Sequence, residues 1–303
     1  MLKKVICVVA ASLALSVIGI TAARAGVLDD VKKKGVLVVG TKADYRPFGY
    51  LDPSGKIVGL EADLAADVAK RLGVKLELVP VVASNRIQFL QQGKIDLMIA
   101  TTSDTPDRRK VVDFIDPNYY GSGTNVLAPK SAKITGWDQL KGKKVCLIQG
   151  AFYNKELQEK YGVDGVAFPG TAEVYTALRN GNCVGFAYDD TAIVGEMLKP
   201  EWSAYEMPLD SILFVPWGIA VKQGEKDLVD FMAKTTIDWH KTGFIQQLEK
   251  KWGGHSSVPV CRLGDAARGI SSHTGTPAHG QQRSPVGVLT AWTGIKGSPE
   301  STV

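Results

Sequence analysis

Histidine and cysteine are scarce in this 303-residue chain, four of each, and neither is arranged for catalysis or metal binding. His240, His255, His273 and His279 all fall late and none sits beside a candidate nucleophile, so hydrolysis by a serine or cysteine has no constellation to work with. No CxxC or HExxH spacing occurs, which removes the usual zinc sites and leaves no metal or other cofactor expected. A large charge of one sign is also missing. The formal charge of +5 falls to +2 once Lys3, Lys4 and Arg24 are set apart, and a +2 surplus lies beyond residue 255, leaving residues 26 to 255 near zero. That balance argues against nucleic acid or an anionic membrane as the partner.

Long apolar runs are absent except for Val5 to Ile20, which follows Lys3 and Lys4 and precedes Ala23-Arg24-Ala25. This pattern predicts a signal peptide over residues 1–25, cleaved after Ala25, and a soluble chain exported to the periplasm. Cys146, Cys183 and Cys261 remain after export. An oxidising compartment favours pairing, and Cys146 and Cys183 each open an apolar run that could be one of two neighbouring parallel strands, so a disulfide between them is expected; two reduced, buried thiols are the alternative.

What the chain does have centres on residues 95–110, IDLMIATTSDTPDRRK. A buried strand through Ile95, Leu97, Met98 and Ile99 runs into the hydroxyls of Thr101, Thr102 and Ser103. A helix then opens at Thr105, as N-cap, with Pro106 in the first position. Backbone N–H groups, hydroxyls and Arg108 so converge past a strand's C-terminal end, where an open α/β sheet binds ligands. This is either a carboxylate socket or an ordinary strand-to-helix loop with a surface arginine.

Around it, the strand Val36–Gly40, the helical period Leu60, Leu64, Ala65, Val68, Leu72 stopped by Gly73, the strand Leu76–Val82 and a short helix capped by Ser84 make a β-α-β-α-β series. A hairpin turn is expected at Asp52-Pro53-Ser54-Gly55. Val126–Pro129 extends away, and a second series comprises a strand at Lys144–Ile148, a helix at Asn154–Tyr161, a strand at Val166–Phe168, a helix at Ala172–Arg179 and a strand at Val184–Tyr188 before Asp189-Asp190. Val215–Val221 reads as a return strand, and Asp227–Trp252 as helix broken at Gly243. Two α/β series joined by two crossings imply two lobes with a cleft between them. Residues 26–125 with 220–254 are expected to form one lobe and 126–219 the other, with 255–303 a poorly structured tail rich in Gly, Ser, Thr and Pro.

The segments GTKADYRPFGY, GLEADLAADVAKRLG, NRIQFLQQGKIDLMIATTSDTPDRR, LKGKKVCLIQGAF, ALRNGNCVGFAYDD, PWGIAV and LEKKWGG stand here in an order and spacing that resemble the periplasmic solute-binding proteins of polar amino-acid ABC importers, the bacterial extracellular solute-binding protein family 3. The resemblance, from about residue 28 to 254, implies a two-lobed α/β fold of the type II periplasmic-binding class, each lobe a mostly parallel sheet flanked by helices. It implies a monomer that captures an amino acid by hinge closure, near Val126–Pro129 and Ile219–Val221, for an inner-membrane permease. It assigns Arg108 to the ligand carboxylate, Thr101 and Ser103 to contacts beside it, Asp189 to the ammonium and Tyr45 to an aromatic wall, with a packed core tyrosine the alternative for the last. Arg86 matches an arginine that helps hold acidic ligands, or is a surface helical residue. Gly150, Ala151 and Phe152 stand where many relatives carry Gly-Thr-Thr, which leaves chiefly backbone N–H groups there, and Phe152 or Tyr153 narrows the pocket. Ala83 stands where a second aromatic is frequent. Arg109 and Asp190 are expected to face solvent. The ligand expected is a polar amino acid, with a leaning to an acidic one. The rival readings are a cyclohexadienyl or arogenate dehydratase-like enzyme on the same scaffold, with Glu173 as candidate acid, and a ligand-sensing module.

Overall fold

The computed structural model describes residues 26–253. The expected signal peptide, Cys261 and the tail lie outside the described residues.

Helix α1 (Val27–Lys34) ends on Gly35 in the left-handed region and feeds β1 (Val36–Thr41). The short strands β2 (Asp44–Tyr45), β3 (Gly49–Leu51) and β4 (Ile57–Val58) form an antiparallel meander. Its turn is closed by Asp52, whose Oδ1 accepts from the N–H groups of Ser54 at 2.8 Å and Lys56 at 3.0 Å. Helix α2 (Leu60–Leu72) buries the periodic face expected of it and stops at Gly73 with φ 69°. Then come β5 (Lys75–Pro80), α3 (Arg86–Gln91), β6 (Leu97–Met98), α4 (Pro106–Arg109) and β7 (Asp113–Phe114).

The long strand β8 (Tyr120–Pro129) begins the second half, followed by β9 (Lys144–Ile148), α5 (Asn154–Tyr161), β10 (Asp164–Phe168) and α6 (Thr171–Arg179). Next are β11 (Gly185–Asp189), α7 (Asp190–Met197), β12 (Tyr205–Glu206) and β13 (Ile212–Trp217). The described chain ends through β14 (Ala220–Val221), α8 (Lys226–Thr242) and α9 (Phe244–Trp252), the last two separated at Gly243, which has φ 70°.

Two larger sheets result. The first runs β5-β1-β6-β14-β7, with β5, β1 and β6 parallel and β14 antiparallel to both of its neighbours. The second runs β10-β9-β11-β8-β12, with β13 also on β8; β10, β9 and β11 are parallel and the strands around β8 antiparallel. Each lobe therefore has a parallel half, where the strand-helix-strand units lie, and an antiparallel half built from strands next to the crossings.

One of the two crossings is not where the pattern put it. Val126–Pro129, expected to pass between lobes, lies inside β8 and pairs with β11 and β12. The single return strand expected at Val215–Val221 is split: Trp217 still pairs with Tyr120 in the second sheet, whereas Ala220 pairs with Met98 and Phe114 in the first. The passages run side by side, with the Ile115 N–H donating to Ile219 O at 2.9 Å and the Tyr119 N–H to Trp217 O at 3.1 Å. A uniform apolar run does not reveal at which residue it changes sheet.

Cys146 in β9 and Cys183, two residues before β11, are both buried and form the expected disulfide, with Cα atoms 5.6 Å apart. The parallel pairing of β9 with β11 brings the two together.

Candidate functional site

The C-terminal ends of the parallel strands in both sheets converge on one small cavity of about 20 Å³. Lys42 follows β1, Arg86 opens α3 after β5, and Thr101 and Ser103 follow β6; from the other sheet, Ala151 and Phe152 follow β9 and Asp189 ends β11. Ala83, Ile148, Tyr153 and Tyr188 complete the lining.

On the first sheet's side the turn after β6 is shaped by an unusual backbone and two buried charges. Thr101 adopts φ 45°, costly for a β-branched residue. Its N–H donates to Glu61 Oε1 at 2.6 Å, and the same oxygen accepts from the Tyr119 hydroxyl. Arg86 donates through Nη1 to the carbonyls of Ala100 and, at 3.1 Å, Thr101, while its Nε has no hydrogen-bond partner. Thr105 caps α4 as expected, its Oγ1 accepting from the Arg108 N–H at 3.4 Å with Pro106 behind it. That turn aims Arg108 back along the loop, where Nη1 donates to Ser103 O at 2.9 Å and Nη2 crosses to Gly150 O at 3.0 Å.

On the second sheet's side Asp189 Oδ2 accepts from the Tyr45 hydroxyl at 2.9 Å, a bond that also crosses between the sheets. The hydroxyls of Tyr45 and Thr191 stand 3.0 Å apart. A further bridge joins Asp44 to the start of α6, where the Thr171 hydroxyl donates to Asp44 O at 3.1 Å.

Burial governs the charges. It pushes Asp189 up to about 6 against the opposing Tyr45 bond, and Glu61 up to about 7 despite its bonds from Tyr119 and Thr101. Lys42 is lowered by burial, with its Asp44 partner at 2.8 Å opposing, and Arg86 is lowered by burial as well. Arg108 is lowered to about 9 by burial and by the neighbouring charge of Arg86, and it stays cationic at neutral pH.

Of the residues anticipated, Arg86, Thr101, Ser103, Ala151, Phe152 and Asp189 line the cavity together. Arg108 and Gly150 are not in its lining: Arg108 donates to Ser103 O, which belongs to a lining residue, and to Gly150 O, next to Ala151. Tyr45 is not part of the wall: it is 1% exposed and packed among Phe48, Tyr188 and Trp217, with ring centroids 5.3–5.8 Å away, and it reaches the site only through its hydroxyl on Asp189. The aromatic surface comes from Phe152, Tyr153 and Tyr188. Asp190, expected at the surface, is 2% exposed; its Oδ1 accepts from the Ser122 hydroxyl at 2.7 Å and ties the start of α7 to β8. Arg109 is at the surface, paired with Asp104 at 2.6 Å and Asp116 at 2.8 Å.

Two charged residues were missed. Lys42 carried no signal, because a lysine in a polar loop reads as solvated. Glu61 did carry one: it shares the stripe of Leu64, Ala65 and Val68 on α2, and an acid on a buried stripe needs a partner. Glu173 is exposed on α6 and does not line the cavity. Among the described residues no cluster of three or more His, Cys, Asp or Glu is placed to hold a metal ion, and no helix is long and apolar enough to cross a membrane.

Comparison with known proteins gives this geometry a context. The family model described as bacterial extracellular solute-binding proteins, family 3, matches residues 37–255. The chain is 32% identical to the ABC transporter glutamine-binding protein of Bacillus subtilis strain 168, covering 73% of this chain and 82% of that one. It is 30% identical to the L-cystine-binding protein of Escherichia coli K12, covering 76% and 86%. Among solved structures it is similar to an ancestral amino acid-binding protein described as a precursor of cyclohexadienyl dehydratase, at TM-score 0.67 and 30% identity over 75% of this chain and 99% of that one.

Proposed function

This chain belongs to the bacterial extracellular solute-binding proteins, family 3, and on that premise we propose that it is the receptor of an amino-acid ABC importer, capturing a polar amino acid between its lobes. The observation that carries the reading is the distribution of charge across the cavity. Arg86 and Arg108 project from the first sheet's loops and Asp189 from the second's, so the two ends of a zwitterion would be gripped by opposite lobes. Thr101 and Ser103 supply polar contacts beside the carboxylate, the loop Gly150–Phe152 closes over the ligand, and Tyr45 steadies Asp189 rather than stacking.

Capture follows from flexing of the paired passages at residues 115–119 and 218–219, with the closed form delivered as a monomer to an inner-membrane permease. Export through the segment at residues 1–25 puts the receptor in the periplasm. No catalytic step is assigned: Glu173, the candidate acid of the dehydratase reading, is exposed on α6, and a ligand followed by NMR in the protein's presence should be unchanged after hours.

Calorimetric titration with the common amino acids tests the proposal. Both charges are desolvated on closure, so Arg108→Ala or Asp189→Asn should cost about 2 to 5 kcal/mol of binding, a loss of roughly 30-fold or more. Near wild-type affinity in both variants would remove the two-ended grip.

A further inference from the structure

We propose that Lys42, together with the free edge of Arg86, forms a second anion subsite, so that the captured ligand is an amino acid with an acid group on its side chain as well as its α-carboxylate. The inference rests on the receptor reading above and specifies its ligand.

A simple zwitterion requires one cation and one anion. Here two cations, Lys42 and Arg86, line the cavity and a third, Arg108, bonds to the carbonyl of Ser103 in that lining, whereas the one acid in the lining is Asp189. Among the described residues neither arginine makes an ion pair; Arg86 and Arg108 spend their N–H groups on backbone carbonyls. Arg86 is almost fully buried and its Nε donor is unsatisfied, an expensive arrangement for a guanidinium unless an acceptor completes it.

Lys42 is 2% exposed, although lysine is rarely buried without a purpose. Its carboxylate partner, Asp44, is not part of the cavity wall, and Asp44 turns its other oxygen towards the Thr171 N–H at 3.5 Å. An ammonium has three donors, Asp44 faces this one at 2.8 Å, and the residue that carries it lines the cavity. Glu61 does not cancel the excess: one of its oxygens is held by Thr101 and Tyr119, the other has no partner, and burial keeps it partly protonated near neutral pH. An amide side chain in this position would leave Arg86 without an anionic partner and Lys42 with Asp44 alone, whereas a carboxylate, sulfinate or similar anion would satisfy Lys42 and Arg86 together. A site built for a charged group discriminates strongly against the uncharged isostere.

The test is a calorimetric titration of the purified, exported chain with L-aspartate, L-asparagine, L-glutamate and L-glutamine. At least one acid should bind tenfold or more tightly than its own amide. Lys42→Met should reduce that ratio by tenfold or more, and Lys42→Arg should keep the acid preferred. Binding of an amide, or of another uncharged amino acid, as tightly as the better-bound acid would overturn the inference while leaving the receptor reading intact, as would an unchanged ratio in Lys42→Met. If Lys42→Met does not fold, the wild-type ratio decides alone. Failure of every amino acid to bind would bring down the receptor reading itself.

Discussion

Glu61 is the residue whose chemistry is least like its surface counterpart. It sits on the apolar stripe of α2, accepts two hydrogen bonds through Oε1, and leaves Oε2 without a partner. Its carboxyl rises from 4.5 to about 7 on folding, with burial the largest cause. A raised carboxyl pKa means that the folded state holds its proton more tightly than the unfolded chain, so the associated stability is full below pH 4.5 and is lost as pH rises through about 7. Asp189 acts in the same sense between 3.8 and about 6. Glu61→Gln keeps the accepting oxygen and removes the charge. It should leave the urea-unfolding free energy near that of the parent at pH 5 and make the protein about 1 to 3 kcal/mol more stable at pH 8. A variant less stable at pH 8 would mean that the ionised carboxylate is held by its cationic neighbours more strongly than burial penalises it. Binding should have the opposite slope on its low-pH side. Asp189 must be ionised to accept an ammonium, so affinity should fall by up to tenfold per unit as pH drops below about 6.

At the scale of the element, legibility followed the strength of local signals. The helix at Asn154–Tyr161 and the strand at Lys144–Ile148 fall where period and composition put them, and Gly73 and Gly243 end helices because their φ values near 70° suit glycine. The loop from Thr101 to Arg108 was readable because capping chemistry is local, and Thr105 does cap α4. Ser84 illustrates the limit: the helix it was expected to cap starts at Arg86, and Asn85 instead turns its side chain back to the Val82 N–H at 2.9 Å. What could not be read was tertiary. The run Val215–Val221 changes sheet midway, Asp190 is buried by a strand 67 residues earlier, and Lys42 is enclosed by loops from both lobes. The disulfide was inferred from compartment and strand order, and the pairing of β9 with β11 explains why it can form. It links positions separated by 37 residues, spanning α5, β10 and α6. Replacing both cysteines by serine should therefore lower the unfolding free energy by about 2 to 4 kcal/mol, read from urea unfolding with midpoint and slope fitted separately for each form, because the unlinked chain unfolds to a more expanded state. A change within error would indicate that the second sheet's packing already restrains that segment.

For the whole molecule, function depends on how the two lobes meet, and on one flank they meet at the backbone of a single turn. Gly150 has φ 80°, and a Cβ there would lie 2.9 Å from the Ala83 carbonyl and the Ser84 Cα, which belong to the opposite side of the site. Its own carbonyl receives Arg108 across the same gap at 3.0 Å. Nothing flexible separates these groups, so an added methyl must push the lobes apart or strain the turn. A ligand shifts an open-to-closed equilibrium only by the extra contacts the closed form provides, so widening the gap by a fraction of an ångström removes contacts from every ligand group gripped on both sides. Gly150→Ala should bind the best amino acid of the titration panel at least tenfold more weakly. Small-angle scattering should show it failing to contract at a ligand concentration that compacts the parent, with circular dichroism unchanged. The strain of alanine at positive φ adds roughly 1 kcal/mol of destabilisation, so a lower melting temperature alone does not count as support. If the variant contracts and binds as the parent does, the lobes do not meet through Gly150 in the loaded state, and closure must be carried by the Tyr45–Asp189 and Asp44–Thr171 bridges on the other flank.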